Sequence, residues 1–313
     1  MISHVSRSHK AHLLLVLMTL IWGSTFVLIK AALQDSSPLV LNAVRMSLAA
    51  LLLAVLYRKD LSCMTRPALI MGMAVGLFLY LGYAFQTSGL RLTTPSKSAF
   101  LTGISTVMVP MITLALWRTR IHAWRVVGIG LALTGLFLMS VPAGRQGLAD
   151  FANVNLGDVL SFLCAIAFAF HIVFVGHATR RYPFEQIAVM QVSVAAALMA
   201  LSAPFVEKTH FHPTPTVVVC ILITGVLGTA LAFTVQAWAQ QFTPATHAAL
   251  IFNLEPVFAW LTSFIYLNER LGGRAGSGAL LILAGVLVSE LLGQVAKPDP
   301  EIAAPNAGTN SAG

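Results

Sequence analysis

Long apolar runs, separated by short polar turns, follow one another along nearly the whole chain. Each run is continuous rather than alternating, which favours membrane-spanning helices over the strands of a membrane barrel. Each is about 18–24 residues long, enough for a helix to cross a bilayer core of roughly 30 Å. The pattern predicts ten spans, numbered 1–10 in chain order, at residues 12–32, 38–57, 68–89, 96–117, 124–141, 157–177, 184–205, 215–238, 244–267 and 275–293.

Two parts of the chain, residues 95–135 and 244–285, resemble each other as copies of one hairpin. Each follows a Thr-Pro pair, crosses one apolar span and a charged turn, and ends in a glycine-rich span. Five spans per copy is an odd number, so the second copy must enter the membrane from the opposite side. The sequence therefore predicts an all-α polytopic membrane protein, with ten transmembrane helices arranged as two inverted five-helix repeats.

The same pattern divides the chain into four parts. Residues 1–11 are predicted to precede the first repeat (12–141), the second repeat occupies 157–293, and the Pro- and Ala-rich tail 294–313 is predicted to be disordered. Eleven Lys and Arg residues fall in loops on the side of the N-terminus and six on the other side. This asymmetry predicts that both termini lie in the cytoplasm.

Composition supports a membrane protein and excludes several other classes. Of 313 residues, 57% are hydrophobic and 10% charged, whereas soluble domains carry about 25% charged residues. The net charge of +8 comes from basic residues scattered in short loops, so nucleic acid is not a predicted partner. Cys63, Cys164 and Cys220 lack the spacing of metal ligands and are predicted to be free thiols. Neither a cofactor, a metal site nor a nucleotide-binding loop is predicted.

Several short motifs, taken in order, make the chain similar to a known family. They are residues 21–26 (IWGSTF), Arg45, residues 99–102 (AFLT) before Pro110, residues 253–259 (NLEPVFA) and residues 267–270 (LNER). Across about residues 12–292 the sequence resembles the drug/metabolite transporter superfamily, specifically a chain with two EamA domains. One departure is that the acidic residue often found at the end of span 4 is missing, while the second repeat keeps Glu269.

The resemblance implies a carrier with a central cavity lined mainly by spans 1, 3, 4, 6, 8 and 9. Members move amino acids, other small metabolites or drugs, often outward from bacteria, which places the chain in a bacterial inner membrane. The predicted partners are a small-molecule solute, the lipid bilayer and a second copy of the chain. Glycine-rich faces on spans 5 and 10 are predicted to serve either helix packing or this homodimer.

Two charged residues lie inside predicted spans, where a charge costs at least about 2.5–3.5 kcal/mol. Glu255, in the middle of span 9 and followed by Pro256, is a candidate for proton coupling or for binding a substrate amine. Its alternative role is that of a structural hydrogen-bond partner. Arg45, in the second turn of span 2, is a candidate for binding a substrate carboxylate. Because it is close to a membrane surface, anchoring by snorkelling is the favoured alternative.

Polar and aromatic residues in other spans are the remaining candidates for substrate binding, because pockets place a few polar groups on apolar walls. They are Trp22, Ser24, Tyr83, Gln86, His171, Gln236 and Asn253. Helix packing is an equal alternative for the first two, and an interhelical hydrogen bond is the favoured alternative for His171. Catalytic residues are not predicted, because paired carboxylates, a HExxH motif and a nucleophile–base pair are all missing from the sequence.

The function predicted from the sequence is a secondary transporter, not an enzyme, which exports amino acids or related metabolites by alternating access. Within the carrier class, the alternatives are an exporter of drugs or organic cations and a carrier of sugars or nucleotide sugars. The alternative from another class is a membrane-embedded lipid-modifying enzyme, which would need clustered polar residues at one membrane face.

Overall fold

The computed structural model describes residues 7–93, 95–118, 121–141, 144–267 and 272–292. Within these ranges the chain is helical apart from its turns, and nine helices are long and apolar enough to cross a membrane. This confirms the predicted all-α polytopic class. Residues 1–6, Glu269 and the tail 294–313, for which the sequence made predictions, lie outside the described residues.

The helices follow the predicted spans with small shifts at their ends. Span 1 begins five residues earlier than predicted, and short helices Arg58–Ser62 and Gly144–Ala152 lie between spans. In chain order the ten spans are Arg7–Ala32; Pro38–Leu56; Arg66–Leu90; Pro95–Gly103 with Ser105–Trp117; Ala123–Ser140; Leu156–Thr179; Phe184–Val206; Pro215–Gly225 with Val226–Leu231 and Ala232–Ala239; Ala245–Phe252 with Glu255–Leu267; and Gly273–Leu292.

Span 9 was predicted as one helix, but the structure divides it into two. The first half ends at Phe252 and the second begins at Glu255, with Pro256 in its first turn. Proline has no N–H to donate and its ring clashes with the preceding turn, so a continuous helix cannot pass through this position without distortion. Span 4 is interrupted at Ile104, nine residues after Pro95, and Asn253 likewise comes nine residues after Pro244. Both copies of the hairpin therefore break at the same place.

Spans of the two repeats pack against each other in matching pairs. Span 1 contacts both halves of span 9, and span 6 contacts both halves of span 4. Spans 5 and 10, which hold equivalent places in the two repeats, pack along their lengths. Span 3 lies against spans 6 and 7, and span 7 against span 2. These pairs are related as a two-fold axis between inverted repeats requires.

The glycines of spans 5 and 10 are used inside the chain. A Cβ atom added at Gly128 would lie 2.6 Å from the carbonyl oxygen of Gly285, so the two backbones touch. Gly135 and Gly278 make the same kind of approach further along. Of the two alternatives for these residues, the structure shows helix packing. Gly130 and Gly276, which have open space beside them, are not part of this contact.

Candidate functional site

Trp22, a residue of span 1, packs against spans 8 and 9 in a cluster of aromatic rings. Its ring centroid is 5.6 Å from that of Phe233 and 5.5 Å from that of Phe252, with the planes steeply inclined. Its Nε1–H donates to the carbonyl oxygen of Gly228 over 2.8 Å. Trp22 is therefore fixed in position, with its only hydrogen-bond donor already used.

The acceptor of that hydrogen bond belongs to an irregular part of span 8. Val226–Leu231 forms a π-helical turn, in which backbone bonds reach back five residues instead of four. Thr229 follows the same shift, because its Oγ1 donates to the carbonyl oxygen of Thr224 over 2.8 Å. Single π-turns inside α-helices occur frequently at functional sites. Here the turn lies where span 8 meets Trp22.

Arg45 and Tyr83 form the second part of the region. The Arg45 side chain is only 5% exposed, and its guanidinium carbon lies 4.8 Å from the centre of the Tyr83 ring. A cation held over an aromatic face and shielded from water is stabilised by roughly 2 kcal/mol. The anchoring by snorkelling expected from the sequence is therefore wrong: Arg45 turns into the bundle because Tyr83 binds its cation there.

Glu255 begins the second half of span 9, directly after the break. It is half-buried and lies within electrostatic range of Tyr83, and its side chain forms no hydrogen bond or ion pair with another described residue. Gly23 of span 1 packs against its backbone, because a Cβ there would lie 2.8 Å from the Glu255 carbonyl oxygen and from the Ala259 nitrogen. The break in span 9 and the contact with Gly23 thus fix the position of the Glu255 backbone.

The remaining predicted polar residues divide into two groups. His171, 2% exposed, is held by Gln191: its Nε2 and the Gln191 Oε1 are 2.8 Å apart. Gln236 donates from Nε2 to Gln240 Oε1 over 3.0 Å, inside span 8. Ser24 accepts from Thr262 Oγ1 over 3.2 Å and so joins span 1 to span 9. These three residues act in interhelical or intrahelical bonds.

Asn253 and Gln86 also have unused hydrogen-bonding groups, as does Gln236 at its Oε1. Asn253, 5% exposed, lies in the break of span 9, and its Nδ2 has no partner among the described residues. Gln86 is half-buried and forms no hydrogen bond with any described residue. The structure therefore places Trp22, Tyr83, Arg45 and Glu255 in one region, with Asn253 two positions before Glu255. Ser24, His171 and Gln236 form hydrogen bonds within or between helices.

Two polar clusters between the repeats were not predicted. We call the membrane face at which span 1 begins the first face, and the opposite one, at which span 6 begins, the second face. At the second face Lys97 donates from Nζ to Asp158 Oδ2 and to the Asn153 carbonyl oxygen, each over 2.6 Å. Thr93 Oγ1 donates to Asp158 Oδ1 over 2.5 Å. This Lys97–Asp158 network joins span 4 of the first repeat to span 6 of the second. Lys97 is one of the six cations that were predicted from the sequence to lie in loops on the side opposite the N-terminus.

The second cluster lies at the first face and consists of His12, His247 and Glu290. His12 Nδ1 is 2.7 Å from Glu290 Oε1, and His247 Nε2 contacts the other carboxylate oxygen. The two imidazole rings are stacked, with centroids 4.5 Å apart and planes inclined by 18°. Span 1 is joined in this way to spans 9 and 10. The three residues are far apart in the sequence, which is why reading motifs along the chain missed them.

The chain is similar to a known protein family and to individual proteins of two organisms. The profile described as the EamA-like transporter family matches residues 9–141 and 155–291. A protein of Archaeoglobus fulgidus named "Uncharacterized transporter" is 34% identical over 287 residues, which cover 90% of this chain and 86% of that protein. A protein of Escherichia coli K12 named "Probable amino-acid metabolite efflux pump" is 25% identical, covering 90% of this chain and 95% of that protein.

A solved crystal structure has the same fold. It superposes with a TM-score of 0.73 at 18% sequence identity and covers 90% of this chain and 97% of that chain. At this identity the likeness concerns the arrangement of the helices alone.

Proposed function

Because the chain belongs to the EamA-like transporter family, we propose that it is a secondary carrier exporting amino acids or related small metabolites from bacterial cells. The family match covers both repeats and confirms the resemblance found in the sequence. The chain is thus a multi-pass membrane transporter. The proposal adds the substrate class, the outward direction, the inner membrane with cytoplasmic termini, and alternating access as the mechanism.

The observation that carries the proposal is the placement of two opposite charges around one tyrosine. Arg45 lies over the Tyr83 ring, and Tyr83 is also within electrostatic range of Glu255. Neither charged residue forms an ion pair with another described residue. An amino acid carries a carboxylate and an ammonium group, and a guanidinium with a carboxylate is the complementary pair.

The surroundings of these charges fit a small amphipathic solute. Trp22, Phe233 and Phe252 supply apolar walls close to Tyr83. A buried carboxylate without a cation is unfavourable, and either a proton or a substrate amine relieves that cost. Glu255 is therefore suited to bind a proton and a substrate amine alternately. Such an exchange would couple solute movement to protons. The name of the Escherichia coli relative supports the same substrate class.

The test is efflux from proteoliposomes loaded with amino acids, organic cations and sugars, quantified by mass spectrometry against empty liposomes. Losing a hydrogen bond to a charged group costs about 1.5–3 kcal/mol, so we expect Arg45→Gln to slow amino-acid efflux roughly 10–100-fold. Glu255→Gln is expected to remove the effect of a proton gradient. Arg66→Gln and Glu185→Gln, at the ends of spans 3 and 7, are the matched controls. Amino-acid efflux that is unaltered in both test variants would contradict the proposal.

An exporter of organic cations is the second candidate, favoured by the aromatic cluster and Glu255. Aromatic faces attract cations, and such a substrate would not need Arg45. The same assay separates the two: an organic-cation exporter would keep its flux in Arg45→Gln and lose it in Glu255→Gln. An amino-acid carrier would lose flux in Arg45→Gln, and its flux in Glu255→Gln would no longer respond to a proton gradient.

A further inference from the structure

The His12–His247–Glu290 cluster lies away from the aromatic region and is not needed to bind a solute there. His12 is near the beginning of span 1, His247 near the beginning of span 9, and Glu290 near the end of span 10. All three positions fall at the first face, because odd spans begin there and even spans end there. The cluster crosses from one repeat to the other.

Its three side chains offer the donor set that transition-metal ions of the Zn²⁺ class prefer. One nitrogen from each histidine and a carboxylate oxygen all lie within 4.8 Å of one another. Zn²⁺ binds such atoms at about 2.0–2.2 Å, which separates neighbouring tetrahedral ligands by about 3.4 Å. His12 Nδ1 and Glu290 Oε1, now 2.7 Å apart, would separate to this distance, and the stacked imidazole rings, whose centroids are 4.5 Å apart, would tilt so that both ring nitrogens point to the ion.

The surroundings favour an ion over a mere pair of hydrogen bonds. The exposed fractions of the side chains are 13% for His12, 5% for His247 and 21% for Glu290, so the site is shielded and still open at the carboxylate. Behind His12, its other ring nitrogen faces Ser8 Oγ at 3.5 Å. A partner at the second nitrogen is the usual means of orienting a metal-bound imidazole.

We propose that His12, His247 and Glu290 bind a divalent transition-metal ion, of which Zn²⁺ is the representative, and that the bound ion holds the two repeats together at the first face. Separation of the repeats at this face would break one of three metal–ligand bonds. Bound metal therefore inhibits transport. The inhibition rests on the proposed carrier function, whereas the binding does not.

The binding is tested on the purified full-length protein in detergent, freed of metal with a chelator. Zn²⁺ is expected to raise the Tm with a concentration dependence set by its affinity, and Co²⁺ to give the visible absorption of a four-coordinate site. His247→Gln and Glu290→Gln, which keep size and hydrogen bonding, are each expected to weaken the binding at least roughly tenfold. The double variant His210→Ala/His212→Ala, which removes two histidines of the span 7–8 loop whose rings are 6.3 Å apart, is the control.

Transport is tested with the same proteins in liposomes. Zn²⁺ is expected to slow efflux by the wild type and by the control, and to leave His247→Gln and Glu290→Gln unaffected. A Zn²⁺-induced rise in Tm that persists in both variants, or is lost in the control, would overturn the site. Binding without an effect on flux would overturn the inhibitory role. A protein that binds Zn²⁺ but transports no solute in any condition would instead contradict the proposed function.

Discussion

The two faces of the bundle are joined by equivalent helices but by different chemistry. The family profile matches the two repeats from residues 9 and 155, an offset that pairs His12 with Asp158, and the shared Thr-Pro pair places Ser98 opposite His247. The Lys97–Asp158 network and the His12–His247–Glu290 cluster therefore occupy related places on opposite faces. One joins the repeats through an ammonium–carboxylate pair, and the other through two imidazoles and a carboxylate.

The difference in burial gives the two contacts different strengths. Lys97 and Asp158 have side chains 9% and 4% exposed, while Glu290 is 21% exposed. Removing one partner of a buried pair leaves a charge that cannot be rehydrated. A partly exposed group recovers some of its hydration when its partner is lost. We therefore expect the Lys97–Asp158 network at the second face to stabilise the protein more than the His12–His247–Glu290 cluster at the first face does.

The largest expected effect is that of Asp158→Asn. It leaves the buried Lys97 ammonium without its carboxylate and also weakens the N-terminal cap that Asp158 and Asn155 form on span 6. We expect a loss of about 3–5 kcal/mol in the free energy of unfolding, measured by thermal unfolding in detergent. The double variant Lys97→Met/Asp158→Asn should recover part of this loss. A single variant as stable as the wild type would refute the difference between the faces.

A smaller effect is expected at the contact between spans 1 and 9. Gly23→Ala forces a methyl group to within 2.8 Å of the Glu255 carbonyl oxygen, and overpacking of this kind costs about 1–3 kcal/mol. The repeat correspondence pairs Gly23 with Ala169, which is completely buried. Ala169→Gly is the matched variant and should cost only about 0.5–1 kcal/mol through helix propensity. Thermal unfolding of both tests whether span 1 approaches its partner more closely than span 6 does.

The smallest effect is expected for Glu290→Gln in metal-free protein. Glutamine keeps an oxygen acceptor for one histidine and offers an amide donor to the other, so the loss should be about 1 kcal/mol. The measurement is the shift in Tm relative to that of Asp158→Asn. If Glu290→Gln were the more destabilising of the two, the ranking of the faces would be reversed.

Hydropathy was sufficient to place the helices, because each span is a continuous apolar run. The broken course of span 9 was less accessible: Pro256 marked the position, but a proline can bend a helix or interrupt it. The resemblance pointed to spans 1, 3 and 9, and Trp22, Tyr83 and Glu255 do lie near one another. Their roles in transport stay predictions.

Long-range partners were beyond the sequence. The buried place of Arg45 depends on Tyr83 in another span, and Lys97, counted as a loop residue, lies in an ion pair with Asp158. His12 and Glu290 are 278 residues apart.

Alternating access requires that the repeats separate at each face in turn, and a covalent bond across the second face tests this most directly. Ser161 Oγ donates to Ser98 Oγ over 3.0 Å, so cysteines at both positions, in a background lacking Cys63, Cys164 and Cys220, should form a disulfide. Efflux from liposomes is predicted to stop on oxidation and to return on reduction, while each single-cysteine variant is insensitive to both. Undiminished efflux by the fully cross-linked protein would contradict the account.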